Sequence, residues 1–207
     1  MTWAPTGRRR RAGALVMFSA LALAACGGSD PTLTGYERDP APEVGSVTLP
    51  DLSDDGAEFA FRPDPGDVLV VYFGYTNCPD FCPTTMSDLR LAVQRLDDAD
   101  AERVDVAMVT VDPERDIPVL PEYVAGFFED GHALGTDDPA ALATAAAPFG
   151  VAYDVSTNDQ GEVEVAHSTS LYAVDDTGHL ALTWQFGVDI DDLKTDLQIL
   201  LDREDGA

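Results

Sequence analysis

Basic residues are scarce in this chain beside its acids. Lys and Arg total 12 against 38 Asp and Glu, a formal net charge of −26 over 207 residues. A surface of that sign repels phosphate backbones and anionic headgroups, which argues against nucleic acid and acidic membrane patches as partners. The acid runs Asp97-Asp98-Ala99-Asp100 and Asp189 to Asp192 read as solvated faces. Such a self-repelling surface is better tolerated at high ionic strength, as in a salt-adapted source. Long apolar runs are missing too. The stretch Ala12 to Ala25 has 14 residues, too few to span a bilayer comfortably. There is no internal repeat and no nucleotide-binding glycine loop. Cysteine and histidine number three each, so any site built from them has few candidates.

That 14-residue stretch follows Arg8, Arg9, Arg10 and Arg11, the layout of a signal peptide with a positive n-region and an apolar h-region. It ends Leu23-Ala24-Ala25-Cys26 and runs into Gly27-Gly28-Ser29-Asp30, which resembles the bacterial lipobox. The resemblance implies that Cys26 is lipidated and becomes the new N-terminus, holding an extracytoplasmic protein on the cell membrane; more than one acyl chain anchors stably. Losing the four arginines leaves eight basic residues against 38 acids, a net charge near −30. The chain then divides into a signal segment (1–25), a polar, flexible tether rich in Gly, Pro and Asp (26–42) and one globular domain (43–207).

The domain is organised around Val68 to Met86, VLVVYFGYTNCPDFCPTTM. The β-branched and apolar run Val68 to Phe73 reads as a strand buried on both faces. After Gly74 and a short polar loop come Cys78 and Cys82, just ahead of a helical pattern. A helix N-terminus favours thiolate over thiol. Four residues of helix rise about 6 Å, within the Cα separation of a disulfide, and the same two sulfurs can converge on one soft metal ion. Export to an oxidising compartment makes a structural disulfide the default. A loop this small would gain little stability from one, so function explains the pair better.

Along the rest of the chain, Val47 to Leu52 and Glu58 to Phe61 read as a small N-terminal hairpin around Asp54-Asp55-Gly56. A helix is expected from Pro83 to about Asp98, with Met86, Leu89, Val93 and Leu96 on one face, then a strand from Val104 to Val111. A helix over Pro121 to Phe128 and an extended piece at Ala133 to Gly135 follow. Asp138 caps a helix running to Ala147, with Pro139 at its first position. Val151 to Val155 reads as a strand and Ser156 to Glu162 as a polar excursion. Ser168 to Val174 and Leu180 to Phe186 form a hairpin about Asp175-Asp176-Thr177-Gly178, and Asp189 to Arg203 is an amphipathic helix. This order matches an α/β, thioredoxin-like sandwich with a central mixed sheet flanked by helices.

Three motifs point to a family. Gly74-Tyr75-Thr76-Asn77-Cys78-Pro79-Asp80-Phe81-Cys82-Pro83, Val111-Asp112-Pro113-Glu114-Arg115-Asp116 and Ala166-His167-Ser168 occur in the order found in Sco/SenC copper-binding, thioredoxin-like proteins, which the chain resembles over most of Val68 to Gly187. Ala166 stands where an Asp often precedes the His, and Ile117 replaces a frequent Thr. The resemblance implies a copper ion, Cu(I) or Cu(II), held by Cys78, Cys82 and His167. It also implies a role in assembling the binuclear copper centre of cytochrome c oxidase. Partners would be the oxidase's copper-bearing subunit and other extracytoplasmic copper chaperones.

The residue chemistry agrees without the name. Soft thiolates favour Cu(I) and imidazole also suits Cu(II), whereas structural zinc sites usually have four protein ligands and no fourth is evident here. Three residues separate the cysteines, one more than in thioredoxin-type redox motifs. A thiol–disulfide oxidoreductase is the main alternative, with peroxidase and sensor roles behind it. His132 and His179 read as surface or packing residues, Met86 as core, Phe81 as an apolar contact for a partner, and Asp112 with Arg115 as a loop-fixing pair.

Overall fold

The computed structural model describes residues 1–4 and 32–206; the domain below is built from the latter. The expected signal segment and Cys26 lie almost wholly outside the described residues. No helix among the described residues is long and apolar enough to cross a membrane.

Strands β1 (Thr48–Asp51) and β2 (Ala57–Ala60) make the anticipated N-terminal hairpin. Asp55 and Gly56 carry positive φ at its turn, a conformation Gly adopts without steric cost. The fully buried strand β3 (Val68–Gly74) leads through the cysteine loop into α1 (Phe81–Val93). This helix is shorter than the periodicity suggests: Asp97 instead caps a separate turn, α2 (Asp98–Ala101), by accepting from the Asp100 N–H at 3.0 Å. Strand β4 (Val104–Thr110) pairs parallel with β3. Two short helices follow, α3 (Pro113–Asp116) and α4 (Leu120–Ala125). Strand β5 (His132–Leu134) then adds parallel to β4. Helix α5 (Pro139–Phe149) is capped as anticipated, with Asp138 accepting from the Ala140 N–H, and it ends at left-handed Gly150.

Strands β6 (Tyr153–Thr157) and β7 (Val163–His167) form a separate two-stranded ribbon. Strand β7 is absent from the sequence reading, which leaves Ser156 to Glu162 as an excursion. Val163 and Val165 alternate with Glu162 and Glu164, but most residues of the ribbon are exposed and, of its apolar side chains, only Tyr153 and Val165 pack against the core, so the apolar signal is too short to mark a strand. Strands β8 (Leu171–Val174) and β9 (Leu180–Trp184) form the expected hairpin, and α6 (Ile190–Glu204) closes the chain. The main sheet runs β2-β1-β5-β4-β3-β8-β9, with β3, β4 and β5 mutually parallel. This is the thioredoxin-like mixed sheet.

Alternation along the strands divides the core into two layers. Val68, Val70 and Tyr72 of β3 join Met86 and Leu89 of α1 and Leu193, Leu197 and Leu200 of α6 on one face. Leu69, Val71 and Phe73 meet Leu142, Ala145 and Phe149 of α5 on the other. Met86 is therefore core, as read.

The segment expected to be a tether is docked from Thr34 onward. The Asp196 carboxylate, 1% exposed, accepts from the N–H groups of Thr34 and Gly35 and from Trp184 Nε1 at 2.8 Å. Tyr36 pairs with Thr183, and Leu180 N–H donates to the Pro42 carbonyl. Polar composition hid this docking, because it runs through backbone groups and one buried acid. Asp196→Ala would strand three donors around a closed site. Thermal or urea unfolding should show a loss of at least ~3 kcal/mol; a loss below ~1 kcal/mol would mean the segment is only loosely attached.

Candidate metal centre

The loop after β3 is shaped by what it must join. Gly74, the last residue of β3, has no room for a side chain: a Cβ there would lie 2.6 Å from Tyr72 Cε1 and 3.2 Å from Cys82 Sγ. The chain then turns through Thr76, whose N–H and hydroxyl both donate to the buried Asp116 carboxylate at 2.9 and 2.6 Å. Thr110, at the end of β4, donates its hydroxyl to the same carboxylate at 2.7 Å. Asp116 thus ties the cysteine loop to the neighbouring strand, a role the sequence reading did not assign. The only sequence signal was its place in the motif around Asp112. Asp112 and Arg115, read as loop-fixing residues, form an ion pair that braces the same short helix.

Cys82 lies inside α1, as its second residue, and not ahead of it. Asp80, in the N-cap position, makes no side-chain capping bond. The Cys78 sulfur takes that place, accepting from the Cys82 N–H at 3.3 Å. Both cysteines are free thiols, 7% and 0% exposed. Their environments push them apart. Burial alone would raise the Cys78 thiol, but hydrogen bonds from Cys82, from the Asp80 backbone and from Tyr75 bring it below its ordinary value. Burial dominates at Cys82 and pushes it up to about 12.

His167, the last residue of β7, arrives from the ribbon. Its Nδ1 lies 2.7 Å from the Ser168 carbonyl oxygen and its Nε2 lies 3.6 Å from Cys82 Sγ. A carbonyl only accepts, so Nδ1 carries the proton and Nε2 presents a bare lone pair to the sulfur. Burial lowers the imidazole's pKa, against the pull of the Ser168 and Phe73 carbonyls, and keeps the ring neutral. The Ser168 carbonyl thus orients the ring where Ala166 offers no carboxylate. Tyr72 and Tyr75 pack edge-to-face on the imidazole, with centroids at 6.1 and 5.6 Å.

The three residues singled out from sequence are therefore together: a sulfur of each cysteine and a nitrogen of His167 lie within 4.8 Å of one another. The other histidines stand apart in structural roles. His132, on β5 and not in a loop, pairs through Nδ1 with buried Asp51 at 2.7 Å and packs on Phe59. His179 pairs with Thr177 in a turn. At the mouth of the site, Phe81 and Phe186 pack edge-to-face, 46% and 40% exposed.

Residues 45–202 match a family model described as SCO1/SenC. Among solved structures, the chain is similar to the apo Sco1 protein of Thermus thermophilus (31% identity, TM-score 0.65, 85% of this chain and 99% of that one). It is also similar to ScoI of Arabidopsis thaliana with copper bound (26%, TM-score 0.66, 78% and 99%). Among curated proteins, it is 34% identical to a SCO2-like protein of Rickettsia prowazekii, over 55% of this chain and 56% of that one. The matched stretch covers between 30% and 66% of the length of such relatives.

The two thiols should differ sharply in reactivity. As pH rises into the alkaline range Cys78 ionises ahead of Cys82, so limiting iodoacetamide should label Cys78 first, as read by peptide mass spectrometry. Equal labelling of both, or Cys82 first, would contradict this assignment.

Proposed function

The chain belongs to the SCO1/SenC family, and on that premise we propose that it is an extracytoplasmic copper-binding protein that carries one copper ion on Cys78, Cys82 and His167. The cargo goes to the binuclear copper centre of cytochrome c oxidase during its assembly. The observation that carries the reading is the convergence of two sulfurs and a bare imidazole nitrogen within 4.8 Å. Two soft donors and one borderline donor fit copper in either common oxidation state. The donor set also falls one short of a closed structural zinc site, leaving room for a ligand from a recipient protein. The exposed Phe81–Phe186 pair supplies apolar surface beside the sulfurs for docking such a recipient. The oxidase's copper-bearing subunit is the proposed recipient, with other extracytoplasmic copper chaperones as donors.

A second reading rests on the unequal thiols. The Cys78 thiolate attacks one sulfur of a target disulfide and releases the other as a thiolate. Cys82 then attacks Cys78, closes the Cys78–Cys82 disulfide and frees the target dithiol, a balanced two-electron exchange. Thiol–disulfide exchange of this kind would prepare a recipient's cysteines for metal, so the two activities are compatible on one site.

Anaerobic Cu(I) titration of the reduced soluble domain against a competing chelator tests the copper reading. One equivalent should bind, His167→Ala should bind at least about tenfold more weakly, and Cys82→Ser should lose high-affinity binding. Equal affinity in wild type and His167→Ala would reduce the site to a dithiol and favour the exchange reading.

Anchoring through lipidated Cys26 completes the proposal, supported by the lipobox-like sequence. In a bacterial host, Cys26→Ser should move the full-length protein from the membrane fraction to the soluble one. Unchanged partitioning would remove Cys26 as the anchor.

A further inference from the structure

The ribbon that delivers His167 closes on an irregular pair. Strands β6 and β7 run in antiparallel register from Thr157 opposite Val163 to Tyr153 opposite His167, so Ala152 and Ser168 come next. The Ser168 N–H donates to the Ala152 carbonyl at 2.9 Å. In a regular antiparallel ladder that bond is half of an exchange, and the Ala152 N–H would return it to the Ser168 carbonyl. Here the Ala152 N–H donates to Ser168 Oγ instead, at 3.1 Å. The hydroxyl also lies 3.4 Å from the Ala152 carbonyl. The Ser168 carbonyl, released from the ladder, accepts from His167 Nδ1 at 2.7 Å.

The side chain has thus taken over the ladder duty of its own backbone. A carbonyl that serves an antiparallel ladder points across to the partner strand. To reach the ring of the residue before it, the Ser168 peptide must turn away from β6. The Ala152 N–H would then lose its acceptor, at a cost in free energy, were no other supplied. Ser offers one through a hydroxyl that both accepts and donates. Ala166, on the other side of His167, has no group that could accept from the ring.

We propose that Ser168 is a positioning residue for the metal centre: its hydroxyl stands in for its carbonyl in the ribbon ladder, and so frees that carbonyl to hold the His167 imidazole with Nε2 bare towards the sulfurs. The inference rests on the copper reading for its consequence and on the ladder geometry for its content.

The substitution Ser168→Ala removes the hydroxyl and leaves the backbone. The Ala152–Ser168 bonds lie at the surface, so the variant should fold. Its Ala152 N–H should take the Ser168 carbonyl back into the ladder, which makes the pair regular and deprives the ring of its acceptor. In the metal-free protein at one fixed pH, NMR of the imidazole nitrogens should show His167 pass from a single Nδ1–H tautomer to a mixture. Amide exchange at Ala152 should stay as slow as in wild type, because that N–H keeps a partner. Cu(I) affinity should fall roughly fivefold, less than for loss of the ring itself. Ser168→Thr, which keeps a hydroxyl, should restore both tautomer and affinity.

Asn158→Ala serves as the control. The Asn158 side chain accepts from the Gln160 and Glu162 N–H groups at the far turn of the ribbon, so its loss loosens the ribbon without touching the root. Tautomer and affinity should be unchanged there. Equal losses in Asn158→Ala and Ser168→Ala would make Ser168 a strut of the ribbon and overturn the inference. A single Nδ1–H tautomer in Ser168→Ala would overturn it as well. A tautomer mixture in Ser168→Ala, in a protein whose wild type binds no copper, would sustain the positioning role while sinking the copper reading.

Discussion

A carboxylate sealed from water holds the site open to chemistry. Asp116 is fully buried and accepts hydrogen bonds from the Thr76 N–H, the Thr76 hydroxyl and the Thr110 hydroxyl. Those donors satisfy it and in return pin the loop after β3 to the end of β4. Cys78 hangs from that loop, Cys82 opens the helix it leads into, and the sulfur of one caps the backbone of the other. Free of that tie, a six-residue connection between strand and helix would sample many shapes, at a cost in ordering of about 1–2 kcal/mol per residue.

The same packing makes the two sulfurs unequal. Cys78 sits where backbone donors converge at a helix N-terminus; Cys82, the second residue of that helix, is surrounded by core. Local hydrogen bonding wins at the first position and desolvation at the second. One stretch therefore supplies an easily ionised thiol beside a reluctant one. A neutral imidazole, held by a backbone carbonyl, faces the reluctant one.

Few cations are available to a chain with 12, and several are committed to structure. Arg38 donates to the Pro148 and Phe149 carbonyls at the end of α5, and Arg62 to the Thr177 carbonyl. Arg103 joins the Gly66 carbonyl to Asp205. The part-buried ones among these, from Arg38 and from Arg103 to Gly66, contribute more than exposed ion pairs such as Arg95–Asp191.

Much of this was legible from residues alone. The run Val68 to Phe73, the Asp138 cap, the β8–β9 hairpin and α6 all follow from short-range periodicity and capping chemistry, which depend only on neighbours in the chain. The two cysteines and His167 were legible as candidates from residue type and motif. What the sequence could not show is the ribbon that carries His167, because of its apolar side chains only Tyr153 and Val165 pack against the core, too short a stripe to be distinctive. Nor could it show that the supposed tether docks on Asp196, or that Asp116 clamps the cysteine loop. Each of these joins residues at least 30 positions apart or turns on burial. Composition and spacing determined which groups are present; only long-range packing decided which were desolvated and brought within reach of one another.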